Sequence, residues 1–214
     1  LESFGDLFGI SYPLQLGILS IPITIIAVIA LTNAINMIDG LDGLAAGIVL
    51  LAITGLICFN LTIEFSPFTS ILLAVASALL PFFFFNIAPY PKIKVFLGDG
   101  GSLFLGYIIS WSLIYSAENI NNFTPSFALW CVAIPLFDFF TVIIMRIVKK
   151  QSSMIARKDH IHHSLENLGF SKLLILLLIV SSGLAILLIG SFIENNFPAL
   201  SFSVFLILFL FYLF

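Results

Sequence analysis

Two asparagines and two aspartates follow the first long apolar stretch of the chain. Residues 33–44 read N-A-I-N-M-I-D-G-L-D-G-L and contain Asn33, Asn36, Asp39 and Asp42. On a helix, residues three apart share a face with Cβ atoms about 5–6 Å apart, so the two carboxylates would be neighbours. Two such charges beside hydrocarbon are costly unless a cation meets them. Helix capping explains one acid but not four polar residues, so we expect a functional site here.

A second polar segment, residues 94–102, reads K-V-F-L-G-D-G-G-S. We expect Asp99 in a glycine-rich turn directly before a helix, with Ser102 beside the first N–H groups of that helix. Such N–H groups bind phosphate, and a carboxylate is a ligand that Mg²⁺ takes together with substrate phosphates. An ordinary turn with a helix cap explains the same residues. No Gly-Lys-Ser/Thr follows, so the segment is not a Walker loop.

The third polar segment, residues 157–165, reads R-K-D-H-I-H-H-S-L and holds all three histidines of the chain. A structural zinc site is one explanation, but neither cysteine of the chain lies near this segment. Arg157 and Lys158 make the segment cationic, which suits a polyphosphate better than a metal cage. Asp138, some twenty residues earlier inside an apolar run, either orders the histidines or has a purely structural role.

The composition predicts an all-α, polytopic membrane protein that positions these segments. Of 214 residues, 61% are hydrophobic and only 9% are charged, whereas soluble domains have about 25% charged residues. Seven apolar runs approach the roughly 20 residues that cross a bilayer. We predict seven transmembrane helices at about 13–33, 43–63, 68–88, 102–117, 125–148, 171–193 and 198–214. Together they form one domain, residues 1–214.

The basic residues predict the orientation of this domain. With seven alternating spans, all of them lie in or beside the joints after the third and fifth spans, on the side that carries the three polar segments. Cytoplasmic loops are enriched in Lys and Arg, so we expect the active site at the cytoplasmic face. The basic residues are Lys92, Lys94, Arg146, Lys149, Lys150, Arg157, Lys158 and Lys172. Acids that hold magnesium, a helix-start phosphate site and a cationic histidine loop suit phosphoryl transfer, with a lipid as one substrate.

The three segments together resemble the polyprenyl-phosphate N-acetylhexosamine-1-phosphate transferases. Residues 33–43 match the family signature Asn-x-x-Asn-x-x-Asp-Gly-x-Asp-Gly, and residues 96–102 match Phe-x-Gly-Asp-x-Gly-Ser. Residues 159–163, D-H-I-H-H, look like the histidine loop of the WecA-type branch, whereas MraY-type relatives show three adjacent histidines. The segments occur in family order, and the resemblance covers about residues 31–172.

The resemblance implies a role for each matching residue. Asp99 would be the metal ligand, for Mg²⁺ or alternatively Mn²⁺, and Phe96 could stack on uracil. Catalytic roles are predicted for Asp39, Asp42, His160, His162 and His163. Substrate-binding roles are predicted for Asn33, Asn36, Asn86, Phe96, Ser102, Arg157 and Lys158.

The implied reaction is attack of a polyprenyl phosphate, such as undecaprenyl phosphate, on a UDP-sugar with loss of UMP. The histidine pattern favours N-acetylglucosamine 1-phosphate as the transferred group, in the first membrane step of cell-envelope glycan synthesis. Transfer of phospho-N-acetylmuramoyl-pentapeptide in peptidoglycan synthesis is the first alternative. A non-catalytic protein that binds lipid phosphate is the second. A transporter would need charged residues near the middle of several spans, and only Asp138 fits that pattern.

We expect the protein in the bacterial inner membrane, with a UDP-sugar and a polyprenyl phosphate as partners and no nucleic acid. The oligomeric state is left open, a homodimer included. The family also carries an adjacent Asp-Asp pair on an earlier cytoplasmic loop, and about ten or eleven spans. This chain has no Asp-Asp pair. We therefore expect the C-terminal two-thirds of a longer protein, a piece inactive by itself.

Overall fold

The computed structural model describes residues 1–7, 12–60, 66–89, 92–120, 123–150 and 160–213, with Asn60 described by its backbone alone. Within these residues the architecture is all-α, as predicted. The α-helices are α1 (Ser20–Ile38), α2 (Leu44–Asn60), α3 (Pro67–Asn86), α4 (Gly98–Asn119), α5 (Pro125–Cys131), α6 (Ala133–Val148), α7 (Ile161–Asn167), α8 (Lys172–Asn196) and α9 (Pro198–Leu213).

Four helical stretches are long and apolar enough to cross a membrane, and a bent pair raises the number to five. The four are Gly17–Ile38, Pro67–Asn86, Gly98–Asn119 and Lys172–Asn196. Each of the seven predicted spans overlaps a helix within the described residues, but the predicted count of seven is not confirmed. The second and seventh are shorter apolar helices in the described part of the chain, and the fifth is broken.

The predicted fifth span, residues 125–148, is not one continuous helix. It consists of α5 and α6, which meet at an angle of 86°. Pro135 is the third residue of α6. Proline has no N–H to donate to the carbonyl four residues earlier, here that of Cys131, and its ring collides with that carbonyl. A straight helix therefore cannot run through Cys131 and Pro135, and the backbone of Val132 leaves the helical region there, with φ −130° and ψ 28°.

The glycine-rich segment forms the first turn of α4 instead of a turn before it, so α4 is longer than the predicted 102–117. Gly98 has a φ of +66°, a conformation that favours glycine, and directs the chain into the helix. Asp99 follows in the first turn, where a negative charge is favourable beside the free N–H groups.

The central helix of the bundle is α2. Most of its residues are buried, and Leu44, Ala45, Val49 and Ala52 are completely so. Helix α2 contacts α3, α4 and α8. Beside α2, helices α1 and α4 approach closely at Gly106, where a Cβ would collide with the backbone of Thr32. The absence of a side chain at Gly106 permits this approach. This packing fixes the loop between α1 and α2 beside the start of α4.

Candidate active site

The loop that joins α1 to α2 carries Asp39 and Asp42 and is clamped by Asn86. The Asn86 side chain, at the end of α3, is 5% exposed. Its Oδ1 accepts a hydrogen bond from the N–H of Gly43 at 2.5 Å, and its Nδ2 donates to the carbonyl of Val95 at 2.7 Å. Asn86 thus ties the first polar segment to the second. The sequence predicted a substrate contact for Asn86, which stays a prediction, and missed this clamp.

A second tie runs from α1 to α4 through Asn36 and Ser102. The Ser102 hydroxyl lies 2.5 Å from Asn36 Oδ1 and 3.2 Å from the carbonyl oxygens of Gly98 and Asp99. The side chain is completely buried. These contacts orient the first turn of α4, which carries Asp99. The predicted contact of Ser102 with a substrate phosphate stays a prediction.

Lys94 supplies the cation that the aspartates were expected to need. Its Nζ lies 2.5 Å from Asp42 Oδ2, and the two side chains are 22% and 28% exposed. The same Nζ lies 5.4 Å from the centroid of the Phe96 ring, which is 71% exposed. The sequence reasoning did not assign Lys94 a role, although it is the first residue of the second segment. A flat, open aromatic surface therefore lies beside an ion pair.

Asp39 is held in a strongly negative environment. Burial, followed by the negative charges of Asp99 and Asp42, raises the pKa of Asp39 to about 6. Lys94 neutralises Asp42 directly, so a further cation near Asp39 and Asp99 would be favourable. Among the described residues, no three His, Cys, Asp or Glu side chains are close enough to hold a metal by themselves. Carboxylates such as Asp39 and Asp99 are ligands that hard divalent cations take together with substrate phosphate and water, and a metal at this site stays a prediction.

Asp138 orders the histidine segment, which decides between the two roles that the sequence left open. Asp138 is 4% exposed. Its Oδ2 lies 2.7 Å from His160 Nδ1, and its Oδ1 accepts a hydrogen bond of 2.8 Å from the N–H of Ile161. His160 directly precedes α7. The carboxylate in α6 thereby fixes the start of the helix that carries the other histidines.

His162 brings this third segment against the first. Its ring is 1% exposed and lies against Gly40 so closely that a Cβ there would overlap it. Neither ring nitrogen has a hydrogen-bond partner among the described residues. Burial, and then the neighbouring His163, lower the pKa of His162 to about 4. His162 is therefore neutral near pH 7, and its two nitrogens are buried without a hydrogen-bond partner among the described residues.

His163 lies beside His162, with ring centroids 4.1 Å apart. Its Nδ1 is 3.1 Å from Glu166 Oε2, a contact that lowers the pKa of Glu166. Asn33 donates to the carbonyl of Ile29 in its own helix at 2.8 Å. Arg157 and Lys158 lie outside the described residues. The structure thus brings the three segments into one region, while the catalytic, binding and metal roles of the individual residues stay predictions.

Comparison with known proteins assigns the family. The model of glycosyl transferase family 4 matches residues 1–117, which is more than half of the chain. The chain belongs to glycosyl transferase family 4. The first two polar segments lie inside the residues that this family model matches, and the histidine segment lies beyond them.

Two curated relatives of the chain are named for a reaction. A Bacillus subtilis (strain 168) protein, 34% identical over 170 residues, is named a probable undecaprenyl-phosphate N-acetylglucosaminyl 1-phosphate transferase. An Escherichia coli (strain K12) protein, 33% identical over 201 residues, is named an undecaprenyl-phosphate alpha-N-acetylglucosaminyl 1-phosphate transferase. The alignments cover 79% and 92% of this chain but 47% and 54% of the relatives. The chain spans about half the length of the curated relatives it matches. An alignment over 92% of 214 residues necessarily includes all three polar segments.

Proposed function

We propose that the intact protein transfers N-acetylglucosamine 1-phosphate from UDP-N-acetylglucosamine to undecaprenyl phosphate and releases UMP. The observation that carries this proposal is the junction of three distant segments in one region: Lys94 pairs with Asp42, and His162 packs on Gly40. The names of the curated relatives support the choice of sugar and lipid.

The arrangement suits a nucleotide diphosphate sugar. The exposed Phe96 ring provides a surface for the uracil base, and aromatic side chains stack on bases through their faces. Asp99, in the first turn of α4, would hold Mg²⁺ together with the diphosphate oxygens. Bound there, the metal would neutralise charge that develops on the phosphates. The neutral ring of His162, packed against Gly40, would border the diphosphate without adding charge to the site.

The transfer then needs positioning and charge neutralisation more than covalent help from the protein. An oxygen of the lipid phosphate attacks the β-phosphorus of the UDP-sugar, and the bond from that phosphorus to the bridging oxygen breaks as UMP leaves. Asn86 and Ser102 hold the two acidic segments in register for this step. Lys94 keeps one carboxylate paired, so Asp42 repels the incoming phosphates less than a free carboxylate would.

We further propose that this region faces the cytoplasm in the bacterial inner membrane. The described basic residues support this orientation because they lie in, or next to, the connections at the end of the bundle that carries Asp39 and Asp42. They are Lys92, Lys94, Arg146, Lys149, Lys150 and Lys172. The acids Glu118 and Glu194 are near the ends of α4 and α8 that lie away from those connections.

The test is a radiolabel transfer assay on the intact protein in detergent with undecaprenyl phosphate and Mg²⁺. UDP-N-acetylglucosamine and the muramoyl-pentapeptide nucleotide are offered separately. We expect label from the first donor to enter the lipid fraction, with release of UMP. Asp99→Asn should abolish most turnover while Glu118→Gln, at the opposite end of α4, should not. Exclusive use of the pentapeptide donor would overturn the sugar assignment, and no transfer from either donor would overturn the enzyme assignment.

A further inference from the structure

The buried carboxylate of Asp138 contacts the histidine segment. Asp138 has three partners from two parts of the chain: His160 and the backbone of Ile161 next to it, and Tyr212 in the last turn of α9. The Tyr212 hydroxyl lies 3.4 Å from Asp138 Oδ1. A buried carboxylate needs such hydrogen bonds to offset its lost hydration. The contacts join α6, α7 and α9 at one point.

The geometry fixes which nitrogen of His160 carries the proton. A carboxylate group only accepts hydrogen bonds, so the 2.7 Å contact between Asp138 Oδ2 and His160 Nδ1 assigns a proton to that nitrogen. In the neutral ring Nε2 is then the acceptor, because the partner of one imidazole nitrogen determines the state of the other. The His160 ring also lies parallel to that of His162, with planes 4° apart and centroids 6.0 Å apart.

We propose that Asp138, assisted by Tyr212, is the positioning residue of the transfer site. It holds His160 as the Nδ1–H tautomer and so fixes the ring next to His162, which lies on Gly40 beside the catalytic acids. Through Tyr212 the final helix, α9, becomes part of the support of the site although no residue of α9 belongs to the three polar segments. This inference rests on the proposed function for its kinetic consequence but not for its structural content.

The first test reads the tautomer directly. The intact protein, labelled with ¹⁵N-histidine, is compared with Asp138→Asn, and the His160 resonances are assigned from their loss in His160→Gln. We expect the Nδ1–H form in the parent. In Asp138→Asn the amide oxygen should keep the N–H of Ile161, so the amide nitrogen faces His160 Nδ1 and selects the Nε2–H form. An unchanged tautomer would overturn the proposal whether or not the protein is an enzyme.

The second test separates positioning from folding by kinetics. Asp138→Asn should lower kcat about 10- to 100-fold, the usual effect of losing a group that orients a functional histidine, with a small change in KM. In a His160→Ala background the same substitution should cost almost nothing, because Asp138 acts through His160. An equal loss in both backgrounds would contradict this role. If the parent shows no transfer at all, the proposed function fails while the tautomer experiment still decides the inference.

Tyr212→Phe provides a variant that keeps the carboxylate and the packing of α9. It removes the hydroxyl that contacts Asp138, and we expect a smaller loss, about 2- to 10-fold in kcat, in line with one long hydrogen bond. The matched control is Tyr107→Phe, which removes a hydroxyl from a side chain that is 53% exposed on α4. Equal rates for the two variants would remove α9 from the support of the site.

Discussion

The contact between His162 and Gly40 makes a glycine-to-alanine substitution a direct probe of how the three segments meet. A Cβ at Gly40 would overlap the His162 ring, while the backbone of Gly40 is not in the left-handed region that favours glycine. The substitution therefore adds one methyl group at the junction without straining the loop. Gly100, in the first turn of α4, has nothing within 4 Å of a built Cβ and no unusual φ. Gly100→Ala is the matched control.

The free-energy cost of Gly40→Ala follows from overpacking of the buried His162 ring. Inserting a methyl group into a filled site costs about 1–3 kcal/mol. If the His162 ring must return to its place in the transition state, that cost lowers the transfer rate about 5- to 150-fold. As a loss of stability it would lower the melting temperature by about 2–12 °C for a domain of this size. Gly100→Ala should leave the melting temperature near the parent value, because a Cβ there meets nothing within 4 Å.

The assays are UMP release by the intact protein and thermal unfolding in detergent. The decisive comparison is Gly40→Ala in a His162→Ala background. If the ring is the group that the methyl meets, the melting temperature should not fall further there, since the clash is gone. A Gly40→Ala variant that has the melting temperature of Gly100→Ala and an unchanged transfer rate would refute the placement of His162 on the acidic loop.

Three further outcomes are expected. The pKa of Asp39 is raised in the folded protein, so ionising this residue costs stability. Thermal stability of the metal-free protein should therefore fall as the pH rises from the ordinary pKa of 3.8 to about 6, and then level off. Asp39→Asn should flatten that decline. Lys94→Gln leaves Asp42 without its cation and should raise KM for the UDP-sugar about 10-fold, whereas Lys92→Gln should match the parent in the same steady-state assay. Asn86→Leu leaves a buried N–H without its acceptor and should cost about 1–3 kcal/mol in unfolding experiments, and a stability equal to the parent would contradict the clamp.

The sequence predicted the all-α architecture and the meeting of the three polar segments because both follow from local signals. Apolar runs of membrane length determine where helices form. Polar segments at the ends of several helices are expected to lie together outside the hydrocarbon, because the chain is 61% hydrophobic. Motif order and spacing then identified the family through the resemblance. The same signals left two roles for Asp138, ordering the histidines or a purely structural one, and did not decide between them.

The remaining features depend on contacts between distant residues. The 86° bend between α5 and α6 lies inside an apolar run, so hydropathy gives no sign of it, although Pro135 is its local cause. Burial of Ser102 beneath α4 depends on how closely α1 packs. The side chain of Glu194 is a further case. It belongs to α8 and is 7% exposed, with hydrogen bonds from Thr124 and Ser201. Neutral hydroxyl partners of this kind cannot be read from charge patterns.

The most direct test of the central claim is the position of bound nucleotide and metal. The intact protein would be crystallised with UDP-N-acetylglucosamine and Mn²⁺, whose anomalous scattering identifies the metal. The account predicts uracil against Phe96, the metal within bonding distance of Asp99, and the diphosphate between Asp99 and His162. A metal bound away from all three polar segments, or a nucleotide at the end of the bundle that holds Glu194, would contradict it.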